Sequence, residues 1–298
     1  MVFLNLPSAH RRIAQLTTAL SLLALPTISL FGQNPLSVSK PEKDNSVEAQ
    51  LESFNIDPRL EIKLFADEMM GISNPICFRW DPHGRLWVLC TWAYPQLKPG
   101  EPPNDKILIL EDTNADGHAD KIITYADGLN MPTGFALGHG GAYIGNSSDL
   151  IHVRDTDGDD QADAREIIFT GFGTGDTHQN INSFAWSPGG ELYFSQGLHC
   201  FSRVQTPWGI RRLDEHGSWR FRPLRRQLHA HRRTSGGGNP WGFAFGDWGE
   251  PFIKSNGNTI SELLPGLISA EYISGGYWGG AMQIGGTKIK SMIIEIVD

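Results

Sequence analysis

"FAWSPGGELYF", residues 184–194, is an apolar run, a Pro-Gly-Gly turn and a second apolar run. Three other stretches line up with it: "FRWDPHGRLWV" from Phe78, "FALGHGGAYI" from Phe135 and "FAFGDWGEPFI" from Phe243. Each opens on Phe and has Gly six positions on, at Gly84, Gly141, Gly190 and Gly249. Each then has an aromatic, two residues further in the second copy and three in the others. Glycine adopts the left-handed conformations of tight turns, so each copy reads as strand, turn and strand with an aromatic to pack. Units of short strands recurring at roughly fifty-residue spacing are propeller blades. The expected fold is all-β, a β-propeller with about four blades present.

The remainder agrees with that pattern. From Leu60 onward, short runs rich in Ile, Leu, Val, Phe, Trp and Tyr alternate with Gly, Asp, Asn and Pro, and no long stretch holds a helical period. With 34 Gly, 18 Pro and only 19% charged residues, the chain is turn-rich and globular rather than disordered. Residues 33–57 are polar and read as a linker with a short helix near Val47–Phe54. Residues 58–298 then form the propeller. Rings commonly close with roughly six to eight blades, and "KSMIIEIVD" at residues 290–298 is strand-like. A propeller incomplete at its C-terminus is therefore expected, with a closed four-bladed ring as the other reading.

His10, Arg11 and Arg12 precede an apolar run from Ile13 to Phe31, the pattern of a secretory signal over residues 1–32. Pro26 interrupts the run and weakens a membrane-spanning reading, so the competing one is an uncleaved anchor. The expected product is exported, periplasmic or extracellular, with no stable membrane span after cleavage. Loss of Arg11 and Arg12 moves the net charge from −8 to −10. So acidic a surface has little to neutralise phosphates, which argues against a nucleic-acid partner. The basic cluster Arg211–Arg233 reads as a solvated strand edge or loop. Cys77 and Cys90 flank the first hairpin, and a disulfide or two buried thiols both remain open.

Two acid-dense decapeptides come next: "DTNADGHADK" from Asp112 and "DTDGDDQADA" from Asp155. Asp112, Asn114, Asp116 and Asp120 occupy positions 1, 3, 5 and 9 of the first, and Asp155, Asp157, Asp159 and Asp163 those of the second. Alternate oxygen ligands around a sharp turn suit calcium. The flanks are strand-like, and position 12 is Ile123 in one copy and Glu166 in the other, so these are not EF-hands. Position 6 is Gly117 in the first and Asp160 in the second, and Asp enters the left-handed region less easily than Gly. Calcium-binding turns that rigidify the propeller edge are expected, with metal-free acidic turns as the alternative.

The densest polar stretch is "GFGTGDTHQNINSFAWSPGGELYFSQGLH", residues 171–199. Gly171, Gly173 and Gly175 suggest a loop that approaches a ligand closely. His178, with Asp176 two residues earlier, is a candidate general base beside an orienting carboxylate; the alternative is a His bonded within its own turn.

"NPICFRWDPHGRLWV", "ILEDTNADGHADK", "GLNMPTGFAL" and "GFGTGDTHQNINSFAWSPGGELYFSQG" together resemble the N-terminal propeller of exported dehydrogenase-like proteins of planctomycetes and verrucomicrobia. That family is related to soluble quinoprotein sugar dehydrogenases, and the resemblance runs from Phe54 to Ile296. It implies a six-bladed architecture, pyrroloquinoline quinone on the axis, and oxidation of a sugar or other alcohol. His178 would be the base, Asp176 its orienting partner and Asn239 a cofactor contact. Gly238 stands where the relatives have a cofactor-binding Arg. The electron acceptor is not indicated. The rival reading is a non-catalytic, calcium-stabilised propeller that binds glycans through Trp208, Trp219, Trp241 or Trp278, or binds a protein partner. A truncated remnant is the third.

Overall fold

The computed structural model describes residues 44, 46–232, 239–255, 260–263 and 281–284. The signal segment, Gly238, Trp278 and residues 290–298 lie outside the described residues. The chain divides into two units, Met1–Ser53 and Phe54–Asp298. In the first, the expected short helix is α1 (Val47–Ser53). No helix among the described residues is long and apolar enough to cross a membrane.

The second unit is a β-propeller of four-stranded antiparallel sheets. Blade 1 is β1 (Pro75–Trp80), β2 (Leu86–Cys90), β3 (Asp105–Glu111) and β4 (Lys121–Leu129), in that spatial order. Blade 2 is β5 (Pro132–Gly138), β6 (Gly141–Asn146), β7 (Asp149–Arg154) and β8 (Ala164–Thr170). Blade 3 holds β9 (Asn182–Trp186) and β10 (Leu192–Gln196), then an inserted hairpin, β11 (Phe201–Thr206) and β12 (Gly209–Asp214), and returns to β13 (Gly217–Arg222) and β14 (Gln227–Arg232). Blade 4 is β15 (Pro240–Phe245), β16 (Pro251–Ser255), β17 (Ile260–Leu263) and β18 (Ala281–Ile284). The first strands pack in series, β1 on β5, β5 on β9 and β9 on β15, so they line the axis.

The sequence repeat now has a physical meaning. Its leading Phe packs backward on the preceding blade. Phe135 lies in the blade 1–blade 2 core with Trp87, Leu89 and Ile109, and Phe184 lies in the blade 2–blade 3 core with Tyr143 and Phe169. The aromatic after the turn packs forward: Tyr143 meets Trp186 and Phe221, and Tyr193 meets Phe243 and Phe245. Burial of each such ring contributes roughly 2–3 kcal/mol. Phe78, the leading Phe of blade 1, remains exposed. Blade 1's other face is covered by Phe65, Ala66, Met70 and Ile72.

The second turn differs from the sequence alignment by one residue. Its left-handed glycine is Gly140, not Gly141, and counting from Gly140 puts Tyr143 three residues on, as in the other copies. Gly141 is in β6, where a Cβ would lie 1.9 Å from the Val153 carbonyl oxygen. Glycines on blade 2 also admit blade 3: a Cβ on Gly138 would come within 2.7 Å of the Trp186 ring.

The cysteine question resolves to thiols. In the β1–β2 register Cys77 pairs with Leu89 while Cys90 pairs with Pro75, so the two side chains sit on opposite faces of the sheet. Burial pushes both thiols up, and Cys200 to about 11.

Candidate functional site at the head of the inner strands

Each inner strand enters the sheet through a β-bulge, at Pro75/Cys77, Pro132/Gly134, opposite Tyr193/Ser195, and Pro240/Gly242. Four residues before the leading Phe of each copy stand Asn74, Met131, Asn180 and Asn239. The polar groups of the chain's candidate chemistry gather at this end.

His178 sits in a single 3-10 turn, Thr177–Gln179, between β8 and β9. Its Nε2 is 3.2 Å from Asp176 Oδ1, so the expected His–Asp pair is formed. Its Nδ1 is 3.3 Å from the Tyr94 hydroxyl. A carboxylate only accepts, so the nitrogen facing it carries the proton and Nδ1 accepts from the Tyr94 O–H. The His178 side chain is 45% exposed, open to a small molecule.

Tyr94 was not apparent from the sequence. It lies in the β2–β3 connection, which a fully buried carboxylate positions. Asp105 accepts from the Trp92, Ala93 and Met131 backbone N–H groups at 2.6, 3.0 and 3.0 Å. The Thr91 hydroxyl accepts from the Tyr94 N–H at 3.2 Å. An Asp opening a strand after a "TWAYP" loop is the signal that could have found it.

Asn239 shares this end, and its side-chain oxygen accepts a 2.6 Å hydrogen bond from Gln179 Nε2. Asn180 is 1% exposed, and neither amide atom has a partner. The expectation for the glycine loop is corrected. Gly171, Gly173 and Gly175 run against the segment leading into β11: Cβ atoms there would lie 2.3, 2.3 and 2.1 Å from backbone atoms of Arg203, Phe201 and His199. They make room for the inserted hairpin and its lead-in. Of the aromatics considered for glycan stacking, Trp219 is core and fully buried, whereas Trp208 and Trp241 are exposed.

The two acidic turns share one backbone. Positions 4 and 6 are left-handed in both, Ala115 and Gly117 in the first, Gly158 and Asp160 in the second. Asp160 is thus accommodated where Gly stands in the other copy, and its carboxylate pairs with Arg85 at 2.8 Å. Position 1 holds the turn: Asp112 accepts from the Gly117 N–H at 2.8 Å, and Asp155 from Gly158 and Asp160 at 2.7 and 2.8 Å. These backbone bonds hold both carboxyls below the usual range. Position 9 is bonded within the turn: Asp120 and Asp163 accept from the hydroxyls and N–H groups of Thr113 and Thr156. Among the described residues, ligand oxygens of Asp155, Asp157 and Asp159 lie within 4.8 Å of one another. Asp159 beside it pushes the Asp157 carboxyl up.

A family model described as "Domain of unknown function (DUF7133)" matches residues 46–275. No curated protein matches the chain. Among solved structures, the chain is similar to virginiamycin B lyase from Staphylococcus aureus, at 11% identity and TM-score 0.38 over 71% of this chain and 70% of that one. A streptogramin B lyase gives 12%, 0.38, 72% and 69% by the same measures. A luciferin-regenerating enzyme gives 8%, 0.34, 64% and 72%.

Proposed function

The chain belongs to the DUF7133 family, and we propose that it is a propeller enzyme oxidising a sugar or other small alcohol at the head of its inner strands. The observation that carries this reading is the Tyr94–His178–Asp176 chain, with exposed Trp92 two residues before Tyr94 and exposed Trp241 two residues after Asn239. Aromatic faces and amides suit a neutral polyol. The substrate hydroxyl gives its proton to the Tyr94 oxygen as the Tyr94 proton passes to His178 Nδ1. Asp176 stabilises the imidazolium. The hydride leaves the carbinol carbon for an acceptor of the quinone class in solution, leaving a carbonyl.

Pyrroloquinoline quinone itself carries carboxylates that call for cations. The described residues of this site offer a phenol, an imidazole–carboxylate pair, amides and a single ammonium, Lys106 over the Trp92 ring at 5.5 Å, and Asn239 is already engaged by Gln179. One ammonium does not match several carboxylates, so the described residues do not fit that group. Calcium is different. The converging carboxylates of Asp155, Asp157 and Asp159 fit a hard cation, and we assign it a stiffening role at the blade 2 edge.

The test is a panel of sugars and alcohols with a redox dye. Tyr94→Phe and His178→Gln should each lower kcat on the order of 100-fold while the melting temperature holds. Turnover indifferent to both substitutions would sink the reading.

A further inference from the structure

Beside the contact of Tyr193 with Phe243 and Phe245, the face of blade 3 turned to blade 4 carries, among the described residues, a buried polar patch. Three strands place it in register. Ser195, Ser218 and His231 form one cross-strand row, and Tyr193, Arg220 and His229 the next. Their opposite-face neighbours Leu192, Phe194, Trp219, Phe221, Leu228 and Ala230 fill the core toward blade 2. On the polar face, Ser195 Oγ, Ser218 Oγ, Arg220 Nε, His229 Nε2 and His231 Nε2 are buried without a hydrogen-bond partner. Ser195 and Ser218 are wholly inaccessible, while Arg220, His229 and His231 are half-buried around them.

Leaving one such atom unpaired costs roughly 1–3 kcal/mol, and here five share one patch. All five groups can donate. A water accepts only about two hydrogen bonds, whereas a tetrahedral oxyanion presents acceptors in every direction. Charge points the same way. The one carboxylate among them, Glu191, is paired with Arg222 and stands 4.0 Å from Arg220, so the patch keeps a positive excess. Burial, and then Arg220, push His231 down to about 4, so its ring is a neutral donor at pH 7.

We propose that this inter-blade face binds a phosphate or sulfate group, held by Arg220 with the Ser195 and Ser218 hydroxyls and the His229 and His231 rings. It is independent of the alcohol-oxidation reading, since none of these residues touches His178 or Tyr94 by any hydrogen bond or ion pair described above.

Calorimetric titration of the full chain with inorganic phosphate and, separately, sulfate tests it, with chloride at matched ionic strength as control. One saturable site is expected, weakened at least about tenfold by Arg220→Gln and by Ser218→Ala. Ser218→Ala removes a single hydroxyl and so covers the case in which Arg220→Gln does not fold. The imidazole resonances of His229 and His231 should move with phosphate while those of exposed His83 hold. A stronger response to one anion names the group. Heats no larger than those of chloride, or binding unchanged in both variants, would overturn the proposal.

Discussion

Ala115 sits at φ +60° and Gly158 at φ +85° in the same slot of the two acidic turns. An L residue is strained there, so Ala115→Gly should stabilise the chain by about 0.5–1 kcal/mol net of the extra freedom of unfolded Gly. Gly158→Ala should destabilise by a similar amount. Thermal unfolding of the two variants checks both signs. At this scale the sequence spoke through side-chain chemistry. The spacing of acids announced the turns, and a His near an Asp announced their contact. It could not show that Thr113 and Thr156 would occupy the ninth-position acids, because hydroxyls compete for a carboxylate only once the backbone has folded back. Tyr94 was hidden for the same reason: its partner His178 lies 84 residues further along the chain.

At the scale of elements, the strand–turn–strand repeat was legible because a turn needs a left-handed residue and a blade needs an aromatic on each face. The inserted hairpin was not. β11 alternates exposed and buried residues, but its buried positions include a Ser, and the Arg residues that follow read as solvated surface. The glycines that make room for it carry no mark distinguishing them from ligand-loop glycines. Gly175→Ala would push a Cβ to 2.1 Å from the His199 carbonyl oxygen. It should cost roughly 1–3 kcal/mol by overpacking. Gly138→Ala, against the Trp186 ring, belongs to the same class. In contrast Gly189→Ala, whose nearest neighbour is the Ser187 hydroxyl at 3.7 Å, should be nearly silent. Denaturant midpoints of the three variants rank them.

For the molecule as a whole, pH separates the two kinds of charge. Asp112 and Asp155 have depressed folded pKa values, so their stabilisation is present above the ordinary carboxylate range and is lost as pH falls through the depressed values. His231 is depressed from 6.5 to about 4. A base kept neutral by burial contributes fully above 6.5, and that contribution, on the order of 3 kcal/mol, is lost as pH falls toward 4. Asp157 has the opposite sign. Its raised carboxyl is relieved by protonation, so at pH 7 the second turn carries repulsion that a cation removes. Calcium should therefore raise the melting temperature at pH 7 and have little effect near pH 4, and Asp157→Asn should shrink the calcium response. A calcium response equal at both pH values would contradict the assignment.

The blade order follows from the repeat, and the reaction hangs on one contact. The most direct measurement is the imidazole spectrum of His178, assigned by comparison with His178→Gln, while the alcohol and sugar panel is titrated into the folded full chain. The expected result is a saturable shift of the His178 signal with at least one polyol, lost in Tyr94→Phe. A His178 signal unmoved by every compound, in protein that unfolds cooperatively, would contradict the assignment of this site.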